Sequence, residues 1–438
     1  MAAPKTIDFF KGHATLGLLP SDQIAAAYDK ILKEEPYPHY QRDAQNTHPL
    51  HYGTDPGNLR IRENVVKWAN GKFGRTQNDP NKINLTGGAS YGAANILTSC
   101  TSSSVTIQAF AVSPTYFLIN YAFMDAGFEG KMTAIKETPG EEYDIDINRL
   151  ETRLKELDAE HGLQEVKETE VNIFEDPTGR GPRKMYRYVM YLVPTFSNPG
   201  AITYSVQTRK KLLEVARKHD LLLICDDVYD YLSYDLQPKV PKLSHLDEDS
   251  LPDGFKYGNT VSNCSFSKII APGLRVGWQE TATPLLAKQL ASTGANISGG
   301  TPGQLSTFVV NNFILSGELD KSIEVFANAF KSRAQTLRSA VAKHLPVNHM
   351  KFYGGDGGYF CWVYIDSPNF DLEQTLKIVQ EKHSVRIPNG NFFEVAGDPV
   401  GWGKSGARLC VALLTEEEIE EGIEKWGSVI RSLHPELY

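Results

Sequence analysis

The segment SFSKIIAPGLRVGW, which starts at Ser265, combines residue types that can perform covalent and phosphate chemistry. Lys268 directly follows a predicted strand, and a lysine shielded from water has a lowered pKa and can bond to a carbonyl carbon. The hydroxyls of Ser265 and Ser267 and the guanidinium of Arg275 suit a phosphate held beside that lysine. The segment therefore predicts an anchor for an aldehyde phosphate; a surface lysine and a structural arginine are the alternative explanation.

In the next informative segment, LLLICDDVYDYL from Leu221, two adjacent carboxylates follow an apolar run. Acids at the end of a buried strand are costly unless they are paired or functional, and in an open α/β sheet that edge is where ligands bind. Asp226 is suited to pair with a cationic heteroaromatic nitrogen, and Tyr229 to hydrogen-bond a phenolate oxygen. A helix N-cap and a packing tyrosine would explain the same residues.

Three weaker signals have the same predicted location. The glycine-rich turn in NLTGGASYG opens a helix, where free backbone N–H groups and the helix dipole favour a phosphate. Asn198 follows a strand and precedes Pro-Gly, so it could donate to a ring oxygen or form an ordinary Asx turn. Tyr116 follows another strand and could stack on a planar ring or simply pack in the core.

The elements that must position these residues alternate along the chain. Short apolar runs from Val105, Tyr188, Leu221 and Thr260 are typical of strands buried on both faces of a parallel sheet. Amphipathic stretches predict helices between and before them, one with Ser205 as its N-cap and one from Ser21. The pattern predicts an α/β fold with a doubly wound, mostly parallel sheet between helices.

From about residue 303 the pattern changes to a long helical region, roughly 304–343, followed by short strands from Gly358 and Arg408. This predicts a second, smaller α+β domain. Residues 155–187 and 236–259 are rich in charge, Gly and Pro, and are predicted to be surface insertions, the first partly disordered.

Composition excludes several classes of protein. The 438 residues carry 45 basic and 53 acidic side chains, and a net charge of −8 argues against nonspecific binding of nucleic acid. The five cysteines are isolated, which excludes a C-x-x-C metal motif and indicates reduced thiols in the cytoplasm. We expect no metal, no secretory signal and no membrane span, because no uninterrupted apolar run reaches the necessary length.

Taken together, these motifs resemble the class I/II aminotransferases of pyridoxal phosphate (PLP) fold type I. The family's order is present: HYGTDPGNLR, TGGAS, PTYF, SNP, DDVY, SFSK with GLRVGW, and a late RLCVAL. The resemblance spans roughly residues 7–430 and is strongest to a fungal branch labelled by analogy as 2-aminoadipate or valine–pyruvate aminotransferases. It implies a large PLP-binding domain over 51–302 and a small domain built from 1–50 and 303–438.

The resemblance also implies roles for individual residues. Lys268 would bind PLP covalently and shuttle the proton, Asp226 would keep the ring nitrogen protonated, and Tyr229 would contact the ring oxygen. Arg408 would pair with the α-carboxylate of the amino acid or 2-oxo acid, with Asn198 beside it. The other implied cofactor contacts are Gly88, Ala89, Ser90, Tyr116, Asn198, Ser265, Ser267, Arg275 and Tyr52. Tyr52 would act from the partner subunit, which implies a homodimer.

Three departures from the family's pattern are present. Asn198-Pro199-Gly200-Ala201 stands where N-P-T-G is usual, Asp227 where Glu is common, and the loop from Lys11 reads KGHATLG where relatives often have an aromatic residue and Pro. The expected activity is transamination. A C–S β-lyase would share the same motifs, and a non-catalytic PLP-binding regulator is the remaining alternative.

Overall fold

The central element of the protein is a seven-stranded sheet in the order β2-β10-β9-β8-β7-β3-β4. The computed structural model describes residues 6–34, 43–237, 240–368 and 370–438. Within these residues the strands are β1 Ile7–Asp8, β2 Ile83–Thr86, β3 Gln108–Ser113, β4 Met132–Lys136, β5 Ile173–Glu175, β6 Pro182–Lys184, β7 Tyr188–Leu192, β8 Leu221–Asp226, β9 Thr260–Ser265, β10 Gly277–Thr281, β11 Met350–Gly354, β12 Phe360–Ile365, β13 Val385–Arg386 and β14 Gly406–Cys410.

Helices pack on both faces of this sheet, which explains why most residues of its strands are buried. The helices of the described residues are α1 Ser21–Glu34, α2 Leu59–Lys72, α3 Ala89–Cys100, α4 Ile119–Phe123, α5 Ile147–Glu160, α6 Val206–His219, α7 Leu243–Asp249, α8 Pro284–Ala291, α9 Gly294–Gly299, α10 Gln304–Ser316, α11 Glu318–His344, α12 Leu372–His383 and α13 Glu416–Leu433. The predicted α/β class, with a mostly parallel sheet between helices, is confirmed.

Strand direction decides where the functional side chains meet. The four apolar runs identified in the sequence form β3, β7, β8 and β9, which are mutually parallel, while β10 runs antiparallel between β9 and β2. The carboxyl ends of the parallel strands therefore lie along one edge of the sheet. Ser205 caps α6 as predicted, because its side chain accepts a hydrogen bond from the amide of Thr208.

A second sheet, β11-β12-β14, lies in the later part of the chain and is antiparallel throughout. The N-terminal segment joins this region: β1 pairs with β13, and the Thr15 amide and hydroxyl bond the carbonyl of Ala412. The loop between these two attachments, residues 10–14, is thereby fixed over the edge of the large sheet. The division into domains over 51–302 and over 1–50 with 303–438 stays a prediction; residues 1–5, 35–42 and 369 lie outside the described residues.

The structure adds detail to two predictions about local structure. The long helical region breaks into α10 and α11 at Gly317, whose φ of 76° is a left-handed conformation that favours glycine. The two predicted insertions are more ordered than expected: the first contains the end of α5 and the β5–β6 hairpin, and the second contains α7 and the buried Lys242. Residues 238–239 of the second lie outside the described residues.

Candidate active site

A cavity of about 340 Å³ opens at the carboxyl edge of the parallel strands. Its lining includes most of the residues that the sequence singled out, which come from β8, β9 and β14, from the start of α3, and from the segments that follow β3, β7, β8 and β9. These predicted residues are Ala89, Ser90, Tyr116, Asn198, Asp226, Tyr229, Ser265, Ser267, Lys268, Arg275 and Arg408. Side chains separated by up to 319 positions in the chain therefore share one cavity.

Lys268 lies in the middle of this group, on the short helical turn that follows β9. Its Nζ donates a hydrogen bond to the Gly12 carbonyl at 3.1 Å and lies 4.7 Å from the centre of the Tyr359 ring. Removal from water, with Arg408 nearby, lowers the pKa of Lys268 to about 8, against opposing effects of Cys410 and Asp226. A lysine with this pKa is partly neutral near pH 7 and can act as a nucleophile or a base.

Asp226 is buried at the end of β8, and only one of its carboxylate oxygens has a partner. Tyr191 donates its phenol hydrogen to Oδ2, whereas Oδ1 has no hydrogen-bond partner among the described residues. Burial raises the pKa of Asp226 to about 6, and the bond from Tyr191 and the charge of Lys268 oppose this rise. A buried, unpaired carboxylate oxygen in a cavity is costly unless a ligand supplies a donor, and a protonated ring nitrogen is such a donor.

A phosphate-sized group would find several donors at one end of the cavity. The hydroxyls of Ser265 and Ser267 are 2.9 Å apart, and Arg275 reaches Ser267 Oγ at 3.4 Å. The first amides of α3 face the same region, and a helix N-terminus of this kind attracts anions. Gly88 permits this approach, because a Cβ at Gly88 would lie 2.8 Å from Arg275 Nη2 and its φ of 96° disfavours any other residue.

Arg408, on β14, is the buried cation at the other end. Its Nη1 donates to Asn198 Oδ1 at 2.8 Å and its Nη2 donates to the Phe10 carbonyl at 2.5 Å. Its Nε has no hydrogen-bond partner in the described part of the chain. Its guanidinium lies 4.1 Å from the centre of the Phe360 ring, and burial lowers its pKa to about 10. A planar guanidinium with an unused donor suits an incoming carboxylate.

The two predicted tyrosines occupy different surroundings. Tyr229 is 2% exposed, and its ring packs 5.6 Å from that of Tyr359 and 6.2 Å from that of Phe360. Burial raises the pKa of Tyr229 well above its usual value, so its hydroxyl stays a hydrogen-bond donor. Tyr116 is half-buried in the cavity wall, where its ring offers a flat face.

Tyr52 is the predicted cofactor contact that the structure leaves outside the site of its own chain. Its side chain is 80% exposed and does not line the cavity of its own chain. Gly88, by contrast, contributes through its backbone position directly before the cavity-lining Ala89.

Sequence reasoning missed several residues that the structure brings to the site. Phe10, Gly12, Phe117, Tyr191 and Tyr359 line the cavity or contact residues that do. The unusual KGHATLG loop was a signal for Gly12, although the sequence could not show that its carbonyl meets Lys268. The sequence around Tyr191 does not distinguish it from an ordinary core residue.

The departure at Gly200 has a steric reason. A Cβ at Gly200 would lie 1.8 Å from Oε2 of Glu137, a buried carboxyl whose other oxygen accepts a hydrogen bond from Tyr204. Burial raises the pKa of Glu137 to about 7. The threonine that the family usually has here in N-P-T-G therefore has no room in this chain unless Glu137 moves.

We expect Gly200→Thr, which restores the usual motif residue, to destabilise the protein by about 1–3 kcal/mol, as overpacking of a filled site does. Urea unfolding measures this. Gly71→Ala is the control, because a Cβ at Gly71 meets no atom within 4 Å. A variant as stable as the parent would show that the turn and Glu137 relax freely.

Neither a metal site nor a membrane-crossing helix was found in the described residues. No group of three or more His, Cys, Asp or Glu there could hold a metal ion, and no described helix is long and apolar enough to cross a membrane. All five cysteines are buried and unpaired.

Comparison with known proteins gives consistent matches over nearly the whole chain. The family profile described as "Aminotransferase class I and II" matches residues 20–425. An uncharacterized protein of Saccharomyces cerevisiae is 42% identical over 98% of this chain and 97% of its own. Aromatic-amino-acid aminotransferase 1 of Thermococcus litoralis is 25% identical over 87% of this chain and 80% of its own. The solved Pyrococcus horikoshii kynurenine aminotransferase, in complex with PMP, superposes with a TM-score of 0.75 at 24% identity, covering 98% of this chain and 91% of its own.

Proposed function

We propose roles for the site residues from the premise that the chain belongs to the class I and II aminotransferase family. It is an enzyme that uses PLP to move an amino group between an amino acid and a 2-oxo acid. When bound, the cofactor supplies an aldehyde that can link to an amine and a ring that withdraws electrons from the substrate. The observation that carries the assignment of residues is the free Oδ1 of Asp226 in the same cavity as Lys268.

Lys268 is assigned to the covalent attachment and to proton transfer. Its Nζ can hold the aldehyde carbon, and once a substrate amine has replaced it there, the freed Nζ can take the proton from the substrate's α-carbon. The lowered pKa favours both steps, because each requires the neutral amine. In this structure the Gly12 carbonyl accepts a hydrogen bond from Nζ and so holds the amine inside the cavity.

Asp226 and Tyr116 would both contact the ring of the cofactor. Asp226 Oδ1 would accept from the ring nitrogen and keep it protonated, which is what makes the ring an electron acceptor. Tyr229 and Asn198 would donate to the ring oxygen, and Tyr116 would cover one face. Both carboxylate oxygens of Asp226 would then have partners, which removes the cost of its unpaired oxygen.

The phosphate would be held by the group of hydroxyl, guanidinium and amide donors at one end of the cavity. We assign it to the hydroxyls of Ser265 and Ser267, the guanidinium of Arg275 and the amides at the start of α3, including those of Ala89 and Ser90. Anchoring the phosphate fixes the distance between the reactive carbon and Lys268, so that the substrate reacts in a constant orientation.

Arg408 would bind the substrate's α-carboxylate. Its Nε is free and its Nη2 is held by the Phe10 carbonyl, so a carboxylate that displaces this carbonyl would meet two donors side by side. Every amino acid and 2-oxo acid has this group, which explains how one arginine serves both half-reactions.

The residues beside Arg408 support an apolar, aromatic amino acid as the substrate. Phe10, Phe117 and Phe392 form an aromatic wall, with ring centres separated by 4.6 Å, 5.1 Å and 6.0 Å, and the first two line the cavity. Such a wall favours an aromatic side chain through burial and edge-to-face contact.

A substrate panel tests this function. We expect phenylalanine and tyrosine to convert the PLP form of the enzyme to the pyridoxamine form faster than alanine or 2-aminoadipate do. Phe117→Ala should lower kcat/KM for phenylalanine about tenfold to a hundredfold and change that for alanine far less, because the lost contact serves the side chain only. Stopped-flow absorbance measures both rates.

Two results would overturn the proposal. Preference for 2-aminoadipate would contradict the aromatic substrate class. Release of pyruvate and a thiol from a cysteine conjugate without any 2-oxo acid would indicate a β-lyase instead.

We also infer a homodimer in the cytoplasm. Tyr52 is exposed on its own chain, and Leu50, Ile297 and Leu315 are further exposed apolar side chains that contact with a second copy could cover. In such a dimer Tyr52 would contact the partner's phosphate. Five buried free thiols agree with a reducing compartment. Sedimentation equilibrium measures the oligomeric state, and a monomer would contradict the role of Tyr52.

A further inference from the structure

We propose that Tyr191 is a positioning residue for Asp226: its phenol donates to Oδ2 and so holds the carboxylate with Oδ1 turned toward the ring nitrogen of the cofactor. This inference rests on the proposed role of Asp226. It adds a residue that does not itself contact the cofactor but decides which oxygen of Asp226 is available to it.

Strand geometry explains why the two side chains meet. Tyr191 on β7 pairs with Ile224 on β8, and Asp226 lies two residues beyond Ile224. Residues two apart on a strand project from the same face, so Tyr191 and Asp226 form a diagonal pair within reach of a long side chain. The Tyr191 ring is fully buried and packs edge-on against Phe123 with centres 6.4 Å apart, which limits its movement.

The position of the bond matters because a carboxylate can rotate. In the described part of the chain, Tyr191 is the sole hydrogen-bond donor to the Asp226 side chain. Without its hydroxyl, both oxygens would lack a partner in a buried site, and the carboxylate would lose both its orientation and part of the stabilisation of its charge.

The charges around Asp226 set the sign of the pH effect. Lys268 and the Tyr191 hydroxyl favour the ionised carboxylate, whereas burial and the nearby Asp230 oppose it; Tyr116 and Tyr229 also lie near the group. Cofactor binding through a carboxylate weakens as the pH falls through its pKa. The hydrogen bond from Tyr191 lowers the pKa of Asp226, so its removal should raise that pKa. On acidification, the loss of cofactor affinity should then begin at a higher pH.

Tyr191→Phe tests the inference, because it removes the hydroxyl and keeps the ring. We expect the variant to fold and to bind PLP about tenfold more weakly at neutral pH. On acidification, its affinity for PLP should fall at a higher pH than that of the parent. Tyr188→Phe is the matched control. Tyr188 lies on the same strand and donates to Asp158 at 2.9 Å on the other side of the sheet, so its loss affects stability but not the cofactor.

The results separate this inference from the proposed function. If Tyr191→Phe leaves both the affinity for PLP and its dependence on pH unchanged, the role of Tyr191 is overturned. An equal loss of PLP affinity in Tyr188→Phe would overturn it as well. Asp226→Asn in the same titration tests the assumption behind it: an unchanged affinity there would overturn the role of Asp226 itself. A loss in Asp226→Asn without one in Tyr191→Phe would leave the proposed function standing and remove the inference.

Discussion

Replacing Lys268 with Ala is expected to lower the rate of transamination about 10⁴-fold and to abolish covalent attachment of PLP. The effect should be large because, in the proposed assignment, this one side chain supplies both the amine that holds the cofactor and the base that moves the proton. The remaining groups around the cavity, including Arg275, Asp226 and Arg408, would still bind the cofactor and substrate. We therefore expect the variant to bind PLP without a covalent link.

Hydride reduction of the loaded enzyme followed by mass spectrometry measures the attachment directly. The mass of the reduced cofactor should be found on the peptide that contains Lys268, and Lys268→Arg should lose it although the positive charge remains. Lys288→Ala, on the exposed face of α8, is the control and should behave like the parent. A label on Lys11, the other lysine that lines the cavity, would contradict the assignment.

Substituting Arg408 with Gln is expected to lower kcat/KM for every amino acid and 2-oxo acid by about 10²- to 10³-fold, which is the loss typical of removing one partner of a buried charge pair. The α-carboxylate is common to all these substrates, so kcat/KM should fall to a similar extent in both half-reactions. This pattern differs from that expected for Phe117→Ala, whose effect should depend on the substrate's side chain.

The specificity of the Arg408 effect can be checked with an amine that lacks the carboxylate, such as phenethylamine. The activity of the enzyme toward this amine should be nearly the same in the variant as in the parent. Arg333→Gln is the matched control. Arg333 is a buried arginine that donates to the Ala412 carbonyl and does not line the cavity, so its loss should affect stability rather than carboxylate recognition. An equal loss for phenethylamine would mean that Arg408 supports the site's structure instead.

Much of the fold and of the site could be predicted because the relevant signals are local. Buried parallel strands are largely apolar, so β7 and β8 can be recognised without knowing their neighbours. Asp226 ends β8, and Asn198 and Lys268 lie in the segments that follow β7 and β9, so the rule that ligands bind at the carboxyl edge places the three together. Ser205 was predictable as an N-cap for the same reason, since its partner is three residues away.

The sequence by itself therefore determined the strand–helix alternation, and it singled out the lysine, the aspartate and the phosphate donors that the structure brings to one cavity. The tertiary structure alone decided which oxygen of Asp226 is free, because that depends on Tyr191 from a neighbouring strand. It also decided that the carbonyls of Phe10 and Gly12 contact Arg408 and Lys268, across separations of 398 and 256 residues. Contacts of this kind arise from packing between distant segments, and no periodicity or spacing in the chain encodes them.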